Sequence, residues 1–258
     1  MRKSLAAVAV VSALGAAPTA ALAEDPASFS ANVGLFSDYV FRGVSQTGEE
    51  PAIQGGFDFG YNFGPASLYL GTWASNISWL EDSGLYTESS MEWDFYGGVT
   101  GMFGSTDFGY DVGIIYYYYP GTKLPGTNSA DTTELYAGVS WKWAKVKYSY
   151  AVSDYFGFTD SDGTWYLDFS VAYPIGDTGL TVDAHYGILE VENDPGGAGE
   201  LSYNDWKIGV NYTIPTTVLK GVNVGLYYTD TDAEDAPYTI NGNVLADDRV
   251  VVFVKKTF

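Results

Sequence analysis

Three groups of side chains in this 258-residue chain have the type and spacing to do chemistry. Glu92 with Asp94, and Asp107 with Asp111, are closely spaced carboxylates that could act as an acid–base pair of the glycosidase kind. His185 is the single histidine and could serve as general base to a serine nucleophile. The segment Asp230-Thr-Asp-Ala-Glu-Asp235 offers oxygen ligands to a divalent cation. Each group has a plainer account. The carboxylates fall on alternate positions, where they would line one face of an extended strand. The acidic segment lacks the spacing and closing Glu of a calcium loop. One histidine and no cysteine supply a transition metal poorly, so no metal site and no cofactor are expected. Pro195-Gly-Gly-Ala-Gly199 has no strand-to-helix context for a phosphate.

The elements that must position these residues start with an export segment. Met1-Arg-Lys, an apolar run over 5–17 and Ala21-Leu22-Ala23 before Glu24-Asp25 read as a secretory signal peptide, residues 1–23. The run is too short for a membrane-spanning helix, which needs ~20 residues. One domain is expected over 24–258. The formal charge of −20 argues against a nucleic-acid partner. An exported chain with no cysteine has no disulfides to stabilise it. Aromatics form 17% of the residues, with 22 Tyr, and Gly numbers 31. A membrane β-barrel needs this composition, because aromatics settle at the lipid interfaces and sheet closure satisfies every backbone group.

Helical periodicity is nearly absent, and period-2 alternation predicts an all-β fold of about twelve antiparallel strands. The first is expected to run from about Phe29 to Phe41, with Tyr39 and Phe41 in the outer aromatic girdle. The third is ambiguous in phase. Strand lengths approach the ~9–11 residues that cross a bilayer at a tilt. Tight connections at 64–65, 101–106, 144, 174–179 and 213–221 alternate with longer ones at 42–51, 77–87, 120–130, 155–162, 190–200 and 230–246. That order predicts a transmembrane up-and-down barrel in the outer membrane, loops outside and both termini periplasmic. A soluble barrel would put the charges outside and the aromatics inside, but too many large rings compete for so small an interior.

The stretch Ser37-Asp-Tyr-Val-Phe-Arg-Gly-Val-Ser-Gln-Thr47 resembles the N-terminal signature of the proteobacterial TorF family of porins. Gln54-Gly-Gly-Phe-Asp58, Tyr69-Leu-Gly-Thr-Trp-Ala-Ser-Asn76 and Glu92-Trp-Asp-Phe-Tyr-Gly-Gly98 extend the likeness along the mature chain. The resemblance implies an outer-membrane barrel with a pore function and names no solute.

The alternation assigns Asp58, Glu92, Asp94, Asp107, Asp111, Glu134, Asp168, Asp183, His185, Asp205, Lys207 and Arg249 to the wet inner face, together with Glu88, Lys142, Lys145 and Lys147. Arg42 is expected at the rim, paired with Asp38 or Glu49. The carboxylate surplus predicts a porin-like channel for small solutes or ions that prefers cations. The rivals are a barrel hydrolase acting on lipid, which needs its His and Ser near the lipid face, and a structural or adhesion barrel whose loops bind partners. Mid-strand on the wet face, His185 fits the hydrolase badly. The expected partners are outer-membrane lipid, permeating solutes or ions, and the barrel-assembly machinery through the last strand, which ends on Phe258 as an assembly signal. Deleting Phe258 is expected to lower the heat-modifiable barrel in membranes and leave protein in the periplasm. Unchanged levels of folded barrel would show that this end is not recognised.

Overall fold

The computed structural model describes residues 26–194, 200–215 and 219–258. The expected signal peptide, with its cleavage point, and the loop 195–199 lie outside the described residues. The fold is a closed antiparallel barrel. Its strands in chain order are β1 (Ala27–Phe36), β2 (Ala52–Asn62), β3 (Ala66–Asn76), β4 (Met91–Met102), β5 (Phe108–Tyr118), β6 (Thr132–Trp141), β7 (Ala144–Ala151), β8 (Trp165–Pro174), β9 (Leu180–Glu190), β10 (Tyr203–Thr213), β11 (Val222–Thr231) and β12 (Arg249–Thr257). Each pairs with its chain neighbour, and β12 closes onto β1 through pairs such as Leu35 with Val254. The twelve-strand up-and-down order expected from the alternation is the one found.

Period 2 decides which side of the wall each residue takes. Phe57 and Tyr61 of β2, Val112 and Ile114 of β5, and Val250, Val252 and Val254 of β12 stand exposed on the outside. Their strand neighbours turn inward. An apolar belt of this kind is stable only against lipid. No helix among the described residues is long and apolar enough to cross a membrane. The third strand's phase is now resolved: Tyr69, Trp73 and Ser75 face in.

Lengths along the inner wall are reconciled by glycine. Tyr69, Tyr96, Tyr136 and Tyr166 lay their rings across Gly98, Gly71, Gly113 and Gly187 of adjacent strands, where a Cβ would meet the ring or its hydroxyl. The rings lie flat, and their hydroxyls reach polar partners. Tyr96 donates to Asp58 at 2.6 Å, and Tyr69 donates to Asp111 at 2.6 Å and meets the Tyr136 hydroxyl.

Several expectations change at the strand ends. β1 stops at Phe36, not Phe41. The chain then turns into the barrel as a small ribbon, Val40–Phe41 against Val44–Ser45. Tyr39 is 1% exposed and Phe41 is partly buried, so neither belongs to an outer girdle. Asp107 and Lys142 sit in turns at the short-turn end, 3.8 Å apart, with side chains 68% and 52% exposed, and neither faces the interior. Glu88 is exposed in a ribbon, Tyr86–Glu88 with Thr122–Lys123, at the long-loop end. In all these cases alternation carries on past the last wall residue, and period alone cannot show where a strand leaves the sheet.

Gly113→Val is expected to drive the Tyr136 ring off its seat and weaken the Tyr69–Asp111 contacts, costing about 1–3 kcal/mol as an overpacked site does. Urea unfolding of the detergent-folded barrel measures it; an unchanged midpoint would show that the ring has room to move.

Candidate functional site

The outer half of the interior, at the long-loop end, is filled by the first loop. Arg42 and Gly43 both take positive φ, 48° and 81°, which reverses the ribbon at the barrel axis. Arg42 Nη2 meets Glu134 Oε2 at 2.8 Å, and Nη1 donates to the Tyr155 hydroxyl at 3.0 Å. The guanidinium lies over the Tyr166 and Phe41 rings, 4.3 Å and 4.8 Å from their centres. Tyr203 donates to the Arg42 carbonyl at 2.7 Å. Burial pushes the Tyr155 phenol up to about 12, so its hydroxyl stays protonated at ordinary pH. Arg42 is therefore a buried anchor and not a rim residue. The partners expected for it belong to another cation: Arg249 meets Asp38 at 3.1 Å and Glu49 at 3.8 Å.

Glu92 and Asp94 project inward from β4 beneath this loop. Glu92 accepts hydrogen bonds from Tyr39 at 2.8 Å and Tyr119 at 2.9 Å. Burial first, and then the Glu92 charge, raise both phenols well above their ordinary value, so they remain neutral donors. Asp94 is fully buried and neither carboxylate oxygen has a partner. The two carboxylates lack the arrangement of a glycosidase pair: both Glu92 oxygens are held by phenols, and Asp94 is buried beneath the loop.

Deeper in the barrel, His185 sits between two carboxylates. Nδ1 is 2.6 Å from Asp168 and Nε2 is 2.7 Å from Asp205, with the Tyr166 hydroxyl 3.0 Å from Nε2. Only the imidazolium supplies N–H donors to both sides. Ser170 donates to Asp168, not to the imidazole. Neither ring nitrogen is left to act as a base toward a serine.

The inner half, toward the short turns, has charges of both signs. Lys145 is 3.6 Å from Asp111. The Lys147 and Lys207 ammonium groups sit over Tyr136 and Tyr227 at 4.2 Å and 5.2 Å. Asn211 donates to Asp183 at 2.9 Å. Lys255 also faces inward here, over Phe253, a position that the alternation of the last strand carries in sequence. Phe258 itself is 66% exposed on the outer face, and its backbone N–H bonds to the Ala31 carbonyl of β1 at 2.9 Å. Among the described residues no group of His, Asp and Glu is arranged to hold a metal ion, and the segment 230–235 forms none.

The fold and interior together define a membrane β-barrel with a charged, partly plugged lumen. The chain belongs to the family described as "Bacterial protein of unknown function (Gcw_chp)", whose model matches residues 20–258. No curated protein matches it. Among solved structures it is similar to one from work on the in-meso crystallisation of membrane proteins. That likeness has a TM-score of 0.52 at 11% identity, over 89% of this chain and 83% of the other. It is also similar to OccK5 (OpdH) of Pseudomonas aeruginosa, with a TM-score of 0.41 at 11% identity, over 90% and 97%. At such identities the likeness is one of fold.

Arg42→Ala leaves Glu134 buried and uncompensated. Breaking a buried pair in this way costs about 3–5 kcal/mol. The expected result is a lower unfolding midpoint and protease cleavage within 37–51. A variant with wild-type protection would show that the aromatic packing alone seats the loop.

Proposed function

We propose that the protein is an outer-membrane channel for small solutes or ions, closed at its outer mouth by the first loop and preferring cations. The observation that supports this reading best is the charged interior of a closed barrel whose outside is an apolar belt. A barrel that served only as an anchor would have no need to place Lys145, Lys147, Lys207, Asp111 and Asp183 within its wall. The likeness of the 37–47 segment to the TorF porins supports the same reading. In this proposal the long loops are extracellular and the short turns and both termini periplasmic. Phe258 is the element presented to the assembly machinery.

The cation preference is assigned to the outer half. In the inner half Lys145 offsets Asp111, and Asp58 and Asp183 accept hydrogen bonds from Tyr96 and Asn211. In the outer half Glu92 and Asp94 are answered by no basic side chain among the described residues. A constriction with one sign of charge selects ions of the other.

The packing of the outer half favours a second reading. Tyr39, Leu80, Tyr117 and Tyr119 form one buried cluster there, and Val44, Tyr155, Leu201 and Leu245 another. A lumen so filled also suits a scaffold that conducts nothing and presents its acidic loops to a partner.

Planar-bilayer recordings of refolded protein separate the two. Conductance is expected, with reversal potentials favouring K⁺ over Cl⁻ at low salt. The preference should shrink at 1 M salt, where the Debye length is ~3 Å. Glu92→Gln with Asp94→Asn should reduce it, and Arg42→Ala should lengthen the open periods. Anion preference refutes the selectivity; silence of both parent and Arg42→Ala protein refutes the channel. The absence of cysteine allows topology to be checked by single substitutions. On intact cells Asp235→Cys should react with a membrane-impermeant maleimide and Asp177→Cys should not.

A further inference from the structure

The outer half of the lumen holds several buried or partly buried carboxylates, and most are matched. Arg42 answers Glu134, Arg249 answers Asp38, and His185 answers Asp205. Glu92 and Asp94 are the exception. Glu92 receives only the neutral hydroxyls of Tyr39 and Tyr119. Asp94 is 0% exposed and both its oxygens lack any partner. A charged carboxylate in such surroundings is strongly disfavoured, and two things relieve it: a proton on the carboxylate or a positive charge beside it.

The walls around Asp94 are aromatic. On the inward face Asp94 is register-paired with Trp73 of β3 on one side and Tyr117 of β5 on the other. Tyr39 meets Trp73 edge-on, with ring centres 5.3 Å apart. Ring faces attract cations, more strongly when water is excluded. The donor set is wrong for a hard metal ion. Calcium takes roughly 6–8 oxygens and magnesium about six, whereas the described residues form no metal-holding group, and of the two carboxylates only Asp94 has oxygens without a partner. An ammonium group needs less. Its N–H donors can meet two carboxylate oxygens while its remaining surface lies against indole and phenol rings.

We propose that Asp94, with Glu92 behind it and Trp73 and Tyr117 beside it, is a seat for the primary ammonium group of a small amine. This names a substrate class and rests on the channel reading for its role in transport, although binding itself needs no conduction. The seat lies beneath the Tyr39–Arg42 ribbon, so an amine held there would sit at the plug.

The test uses the full folded protein in detergent micelles. Calorimetric titration with methylammonium chloride is compared with potassium chloride and lithium chloride at matched ionic strength. Saturable binding of methylammonium, stronger than that of potassium, is expected, and Asp94→Asn should weaken it about ten-fold or more. Asp107→Asn, in an exposed turn outside the lumen, should bind as the parent does. Potassium binding as tight as methylammonium, or none that saturates, overturns the proposal. Infrared spectra of the parent protein keep the test open if Asp94→Asn fails to fold. A carboxylate stretch perturbed by methylammonium supports the seat. A protonated-acid stretch unmoved by it shows that a proton occupies the place assigned to the amine. Because binding is read without a membrane, a silent bilayer recording and a failed titration are separate results.

Discussion

A closed barrel in lipid leaves charged side chains two places to go: the ends or the inside. The rest of this structure depends on that constraint. Twelve strands enclose a narrow space, and the inward positions of those strands carry both signs of charge within it. The wall adapts by pairing tyrosine with glycine. The rings of Tyr96 and Tyr69 lie across Gly71 and Gly98, and their hydroxyls donate to Asp58 and Asp111, carboxylates that would otherwise crowd the axis. The abundance of Tyr and Gly is thus one device seen twice: the ring needs the missing Cβ beside it.

The first loop follows from the same constraint. The buried carboxylate of Glu134 on β6 calls for a cation, and its neighbours on the wall do not place one on it. Arg42 reaches it from the loop, drawing the 37–47 segment into the barrel. Once there, Phe41 packs on Tyr117 and Phe156, and Tyr39 packs on Trp73 and donates to Glu92. The distinctive motif of this chain is therefore an interior element, and its aromatics fill the lumen instead of meeting lipid.

The twelve strands, the alternation of short and long connections and the inward side of most charged positions were legible, because a period of two and a run length are local properties. What was not legible depends on contacts far apart in sequence. Arg42 and Glu134 are separated by 92 positions, and Arg249 and Asp38 by 211. Period 2 placed Tyr39 on the same face as Leu35, yet the chain had already left the wall. Tyrosine is ambiguous by nature, since the same side chain suits a lipid interface and a buried hydroxyl network. Asp107 and Lys142 show the opposite error: they keep the phase of the wet face but lie in turns, where phase no longer means inside. For Asp94 the local signal was a carboxylate on an inward strand face. That it would be the unmatched one emerges only when each cation of the interior has been assigned to its partner.

In the proposed channel, the outer half is the part of the lumen with most leverage over a permeating ion. In the inner half lysines and carboxylates are interspersed, as at Lys145 and Asp111, so the field there falls off over short distances. In the outer half Glu92 and Asp94 stand without a basic partner among phenols that cannot ionise at ordinary pH. Any charge carried there acts further than it would in water, because the dielectric is low. The same volume is the one the first loop occupies. In the proposed channel, closure and selectivity would share one set of residues. Tyr39 bonds to Glu92, and the Arg42 that holds its loop bonds to Glu134, so any movement of the loop that widens the lumen also removes a hydrogen-bond donor from Glu92. Opening would deepen the negative potential at the moment a path appears, and a cation would be drawn to the place the loop had left.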